Sequence, residues 1–295
     1  MLFRVTSDSS CDITPEQEQA YHIGIVPYYV SFDGVEYRKE RQEISVEAFY
    51  KQMVENPHVF PKTSLPTVED FEAVFRPILE AGEPLVYFNL TSKFSSSFQL
   101  ANMVAEGLRE EFPHAKIAVI DSISATVQQG LLVLEAARMA QDGLSFEEAV
   151  EKIEKLKKTS CIFYTTADLS YLQKGGRIGK LLKTAAIALK IKPLIHLHNG
   201  ELFPDGIARS RKRSLQKIME RAIAFFADKN PDDYRVCIGY GYDKAEAQAF
   251  LAEFSQAMAD IGFTGQVEAY QIGVSIGVHN GPAPLGISMI RKYDA

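Results

Sequence analysis

Five hydroxyl side chains, Thr91, Ser92, Ser95, Ser96 and Ser97, crowd the stretch that follows the apolar run PLVYFNL. Behind them Leu100, Val104 and Leu108 recur at helical spacing. A helix start needs one capping hydroxyl. The surplus, with the unpaired N–H groups and dipole of a first turn, could cradle an anion. The segment alone is balanced between capping and binding. A second cluster is KTSLPT at residues 62–67, where the capping box Thr67-x-x-Asp70 accounts for Thr67 and leaves Thr63 and Ser64 without a local task. A third is GVSIGVHNGP at residues 273–282, read as a glycine-flanked turn holding His279. Histidine can donate to an anion or move a proton near neutrality, though a lone one is as a rule structural or merely exposed. A fourth, TSDSS at residues 6–10, reads as turn and cap chemistry for the coming helix.

Other chemistries lack their signatures. LQKGGRIGK has Lys174 where a phosphate loop needs glycine and Leu181 where it needs Ser or Thr. No G-x-G-x-x-G follows a strand, and there is no G-x-S-x-G nucleophile turn. Cys11, Cys161 and Cys237 are too scattered for a zinc knuckle or a disulfide framework. His196 and His198 alternate along a strand and are expected to face opposite sides as packing residues. The net charge of −6 disfavours binding to nucleic acid or anionic lipid, which needs a basic face. Against that background Arg209, Arg211, Lys212 and Arg213 form a basic cluster, either a solvated helix start or a docking spot for an acidic partner.

The elements that must position these residues alternate between strand and helix. FRVTS, GIVPYYVSF, PLVYFNL and KIAVID read as strands, and Thr14-Pro15, Thr67 and Ser145 as helix starts. This pattern, over roughly the first 155 residues, argues for a parallel sheet with helices on both faces. After the charged helix FEEAVEKIEKLKKT comes a second block: strands SCIFYTTA and KPLIHLH, a hairpin turn at Asn199-Gly200, a helix from RSLQ, the strand YRVCIGYGY, another helix from AEAQ, and VEAYQIG as a final strand before a short terminal helix. Hydrophobic residues make up 46% of the chain, enough for a sizeable core. No apolar run approaches 18 residues, since even AAIALKIKPLIHL is interrupted by Lys190 and Lys192, and no signal peptide opens the sequence. A cytoplasmic protein without stable membrane insertion is expected.

Taken in order, seven segments resemble the DegV family: SDSSCD, KTSLPT, LTSKFSSSFQ, VIDS-x-S, YLQKGGRI, KPLI and GV-x-x-GVHNGP. The resemblance spans essentially the whole chain. It implies an N-terminal parallel three-layer α/β/α domain (residues 1–157) and a C-terminal two-layer mixed-sheet α/β domain (residues 158–295). It also implies a long-chain fatty acid in a tunnel between or beneath them, and a role as the lipid-carrying subunit of bacterial fatty acid kinase. In such a system a separate ATP-binding subunit phosphorylates the carboxylate, and this chain has no complete active site, cofactor or metal of its own.

By the same resemblance the carboxylate falls to Thr63 and Ser95, with Ser64 and Ser96 beside them, Arg177 from the GGRI motif, and His279 assisting. Arg209, Arg211 and Arg213 are the expected partner-docking residues. Two departures stand out: Ser95-Ser96-Ser97 replaces S-G-T, and Gly281-Pro282-Ala283 replaces G-P-G. The physics agrees with the reading. Each buried methylene contributes about 0.8 kcal/mol, a buried carboxylate needs donors, and neutral hydroxyls leave it more nucleophilic than a bidentate arginine would. Two rivals remain, a stand-alone acyl-ester hydrolase using Ser95 with His279 and a lipid sensor or store without a kinase partner.

Overall fold

The computed structural model describes residues 2–167, 169–181 and 191–295. The AAIALK part of the apolar run, at residues 185–190, therefore lies outside the described residues. The chain begins with β1 (Arg4–Asp8), α1 (Pro15–Tyr21), β2 (Gly24–Val26), β3 (Tyr29–Ser31), β4 (Arg38–Lys39), α2 (Val46–Glu55) and β5 (Lys62–Ser64). It continues through α3 (Val68–Glu80), β6 (Leu85–Asn89), α4 (Ser97–Glu111), β7 (Ile117–Asp121), α5 (Thr126–Gln141) and α6 (Phe146–Leu156). The second half runs β8 (Cys161–Thr165), α7 (Ser170–Lys174), β9 (Lys192–His198), β10 (Glu201–Ala208), α8 (Arg211–Phe225) and β11 (Tyr234–Tyr240). It closes with α9 (Lys244–Asp260), β12 (Glu268–Gln271), α10 (Val274–Asn280) and β13 (Leu285–Arg291).

The first domain has a parallel sheet ordered β2-β1-β6-β7. One of its faces packs Val26, Leu85 and Tyr87 against Phe71 and Phe75 of α3 and Val104 and Leu108 of α4. The other meets α5, so the domain is three-layered. The helix starts form as their sequences dictate: Thr14, Thr67 and Ser145 each close a reciprocal capping box. GIVPYYVSF is not one strand. Pro27 has no N–H to give a ladder, and the chain breaks there into β2 and β3, which belong to different sheets. With β4 and β5, β3 makes a small antiparallel sheet that carries Thr63 and Ser64.

The second domain is a mixed sheet ordered β10-β9-β8-β13-β11-β12, in which only β11 and β12 pair in parallel. Asn199 and Gly200 both take positive φ in the β9–β10 hairpin, as a tight turn of this type requires. The segment after HNGP is not a terminal helix. LGISMIR is β13, in the interior of the sheet between β8 and β11, and its first six residues are buried. A short apolar run with β-branched residues suits a strand covered on both faces. His196 and His198 share a face, because residues two apart on a strand point the same way. Their rings stack at 5.5 Å, and His196 Nε2 lies 3.2 Å from Cys161 Sγ.

One face of this second sheet packs Val236, Ile238 and Ile287 against α8 and α9. The opposite face meets the first domain across α5, of whose 16 residues 14 are buried. Glu135 of α5, fully buried, takes Arg138 from its own helix and Arg235 from β11.

Candidate functional site

Between that sheet face and the loops at the carboxyl ends of β2, β6 and β7 lies a cavity of about 210 Å³. A single water needs roughly 10–15 Å³, so this is not a packing void. Leu90, Ala125, Ile162, Leu197, Leu202 and Ile272 form its apolar wall. Crevices outside strand carboxyl ends are where open α/β sheets take ligands. All six residues singled out for the head group, Thr63, Ser64, Ser95, Ser96, Arg177 and His279, line this cavity.

The loop between β6 and α4 is fixed at three consecutive amides. Leu90 N–H donates to Asp8 Oδ2 (2.6 Å), Thr91 N–H to Ser124 O (3.0 Å) and Ser92 N–H to Asp121 Oδ1 (3.3 Å). Asp8 also accepts from the backbone and hydroxyl of Ser10 and from Gln129. Burial pushes its carboxyl up to about 6 against the pull of those hydrogen bonds. Segment 6–10 is thus turn and cap chemistry: Asp8 caps the short turn at Ser9–Cys11. Beyond this anchored base, Ser95 Oγ accepts Ser97 N–H at 3.2 Å, and its hydroxyl neighbours that of Tyr28 at the cavity wall. Ser96 occupies the N-cap position of α4 without making a side-chain cap, which leaves an exposed hydroxyl at a helix start.

Thr63 sits in the middle of β5, with Oγ1 3.1 Å from Nε2 of His279 in the last turn of α10. Desolvation, with help from the Arg177 charge, lowers the imidazole to about 4, so it is neutral near pH 7. A neutral ring carries one donor and one acceptor. With the proton on Nε2, His279 donates to Thr63 and frees the threonine O–H for an incoming acceptor. Its Nδ1 is buried without a hydrogen-bond partner among the described residues. Gly175 is what lets the ring sit there, since a Cβ at that position would come 2.1 Å from Nδ1. Arg177 is exposed at the mouth and donates to Phe94 O (3.1 Å) and Gly175 O (2.7 Å). Ser64 is exposed at the rim.

Five polar residues in the wall were not assigned to the site by sequence reasoning: Tyr28, Thr126, Tyr164, Ser275 and Asn280. The Tyr28 hydroxyl meets Ser97 Oγ at 2.5 Å. Ser275 precedes His279 by one helical turn on α10. Reading residues 273–282 as a turn hid that relation, and helical spacing would have exposed it. Outside the cavity, Arg211 makes a two-pronged pair with Glu246 (2.9 and 2.6 Å), and Arg213 reaches Gln216 at 2.7 Å and Glu220 at 3.5 Å. Arg209 and Lys212 are exposed. Among the described residues no cluster of three or more His, Cys, Asp or Glu is arranged to hold a metal ion. No helix among them is long and apolar enough to cross a membrane.

Fold and cavity define a two-domain α/β protein whose sheets enclose an apolar chamber with a hydroxyl–imidazole station in its wall. The chain belongs to the DegV family: the family profile, described as an uncharacterised protein, matches residues 3–292. A DegV domain-containing protein of Clostridium acetobutylicum is 29% identical over 288 residues, covering 98% of this chain and 97% of the relative. Among solved structures, a stearic acid-binding protein from Eubacterium ventriosum is similar with TM-score 0.94 and 38% identity, covering 99% of each chain. A fatty-acid-binding DegV protein from Thermus thermophilus has TM-score 0.87 and 26% identity, over 99% of this chain and 100% of that one.

Proposed function

We propose that this protein, with domains at residues 1–157 and 158–295, binds a long-chain fatty acid in the cavity and presents its carboxylate to a separate ATP-binding kinase subunit. The observation that carries the reading is the Thr63–His279 pair, a neutral hydrogen-bonding station in the wall of an otherwise largely apolar chamber. The tail gains about 0.8 kcal/mol per methylene removed from water. Thr63 and Ser95 donate to the carboxylate, Ser64 and Ser96 flank it, and Arg177 stands at the mouth without displacing the neutral donors. Solved relatives described as binding stearic or other fatty acids support the ligand class.

The kinase role rests on the family resemblance together with the chemistry of the station. A carboxylate held by neutral donors keeps its nucleophilicity. One of its oxygens attacks the γ-phosphorus of ATP on the partner, ADP leaves, and the acyl phosphate stays on this chain. By donating to Thr63, His279 turns the threonine O–H toward the place where negative charge gathers in that step, so it favours the transition state over the bound acid. The ester-hydrolase alternative fits less well, because His279 Nε2 faces Thr63 and not Ser95.

The test is extraction and mass spectrometry of lipid that copurifies from a bacterial host, followed by titration with palmitate. A C14–C18 acid is expected, roughly the range set by the tunnel the family resemblance implies and by methylene transfer energies. An empty extract with no binding of added palmitate overturns the ligand class. With kinase subunit and ATP, His279→Ala should still carry lipid, at about tenfold weaker affinity, and should lose considerably more than that in acyl-phosphate formation. Parent-like turnover would return His279 to a structural role. If the parent also forms no acyl phosphate, the protein is a lipid store or sensor.

A further inference from the structure

The opening SDSSCD motif has a member that neither caps its own turn nor lines the cavity. Asp12, in the left-handed region at φ 51°, sends its carboxylate to a helix 261 residues away: Oδ1 accepts the N–H of Gly273 at 2.9 Å. Its Oδ2 accepts the hydroxyl of Thr126 at 2.6 Å. Glu40, just after β4, does the same from the other side. Its Oε1 accepts the N–H of Val274, and its Oε2 accepts Ser9 O–H at 2.7 Å. Ser9 Oγ in turn accepts the N–H of Tyr28 at 3.0 Å, next to the hydroxyls of the head-group loop. Both acids are buried, at 6% and 1% exposure. Gly273 is glycine because a Cβ there would fall 2.5 Å from Asp12 Oδ1 and 2.5 Å from Glu40 Oε1.

A helix of seven residues cannot hold itself. Its first N–H groups have no partner within the helix, and whatever accepts them sets where the helix lies. Here those acceptors are two carboxyls of the first domain, while α10 belongs to the second and ends on His279. We infer that Asp12 and Glu40 are positioning residues of the head-group site: together they grip the first turn of α10 and so hold His279 against Thr63. The inference rests on the fatty-acid reading above, and it assigns the motif a task at the joint between domains. Burial raises both carboxyls, Glu40 adding to the rise at Asp12. What the helix needs is therefore an acceptor oxygen and not a charge, so an amide can serve.

A double-mutant cycle with palmitate tests it. Asp12→Ala should weaken palmitate binding about tenfold, the scale of one hydrogen bond to a charged group lost at the station. Asp12→Asn, which keeps an acceptor, should stay within about threefold of the parent. In a His279→Ala background the Asp12→Ala loss should shrink to less than about twofold, because coupled residues are not additive. Gly273→Ala, which drives a methyl into both carboxyl oxygens, attacks the same grip from the helix side and should give the same signature.

Equal losses with and without His279, or equal losses for palmitate and methyl palmitate, would overturn the inference. A lipid-free readout separates it from the ligand claim. The NMR signal of the His279 ring Cε1–H should move in Asp12→Ala and Gly273→Ala and stay put in Asp12→Asn. If the parent binds no palmitate, the ligand reading falls and this signal alone decides the grip.

Discussion

Two serine-bearing turns follow neighbouring parallel strands, and they meet opposite fates. After β1, Ser9 and Ser10 are sealed at 1% and 0% exposure, each hydroxyl committed to a partner within the chain: Ser9 to Glu40, Ser10 to Asp8 and Gln129. After β6, Ser95 and Ser96 stand at the cavity wall, with Ser95 only partly committed and Ser96 capping nothing. The residue vocabulary is nearly the same. What separates a structural hydroxyl from a binding one is whether its hydrogen-bonding capacity is already spent inside the chain.

The largest effect should come from breaking the sealed turn. Asp8→Ala leaves the buried amides of Leu90 and Ser10 without their acceptor and takes one of two acceptors from the Gln129 carboxamide. Unfolding in urea should report a loss of about 3–5 kcal/mol, the scale of several unsatisfied buried groups. A loss below about 1 kcal/mol would erase the distinction between the turns.

Next is a pH effect that only the sealed turn should show. Asp8 titrates at about 6 in the folded protein against 3.8 for the ordinary group, so the folded state binds the proton more tightly. The stability this gives is fully present below pH 3.8 and is lost as the pH rises through 6. The stability of the parent relative to Asp8→Asn should therefore fall by about 2–3 kcal/mol between pH 4 and pH 7. A flat difference would mean that Asp8 is ionised throughout.

In the open turn the effect on binding outweighs that on folding. Ser95→Ala, and Thr63→Ala across the cavity, should each weaken palmitate binding by about 1.5–3 kcal/mol. Urea stability should fall by only about 1 kcal/mol, well short of the loss at Asp8→Ala, because each change strands a single donor, Ser97 N–H or His279 Nε2–H. Methyl palmitate should be far less sensitive. Equal losses for acid and ester would remove these residues from the carboxylate.

The smallest effect concerns the surface. Arg211 is already matched by Glu246, so Arg209→Glu with Arg213→Glu is the cleaner reversal. It should slow association with the kinase subunit while leaving palmitate affinity unchanged, since rim charges act mainly on encounter. Superimposable partner titrations would make the cluster a solvated face.

Much of this architecture was legible in the residues. The three capping boxes, the parallel β/α order of the first half and the Asn199-Gly200 hairpin are local grammar, carried by side chains within a few positions of one another. The six residues proposed for the head group came from ordered motifs, and all of them line one cavity. What escaped was set by distance or by ambiguity. Nothing near Asp12 announces that its partner is Gly273. Glycines at 273, 277 and 281 weigh toward a turn, yet the chain coils into α10 because carboxyls elsewhere receive its first amides. LGISMIR is short enough to be helix or strand, and only a place between β8 and β11 decides it.

Helix α5, buried on nearly every side, has a bearing on how the molecule is made. A helix without a wet face has nowhere to rest until both its neighbours exist. During synthesis β1 can cover one flank early, but β11 and β13 emerge only after more than half of the described chain. Until β13 has slotted between β8 and β11, one side of α5 stays uncovered and the chamber lacks its floor. A nascent chain should then be a client for chaperones and not yet a vessel for lipid, and unfolding should proceed in one step with no stage at which half the protein still holds its cargo.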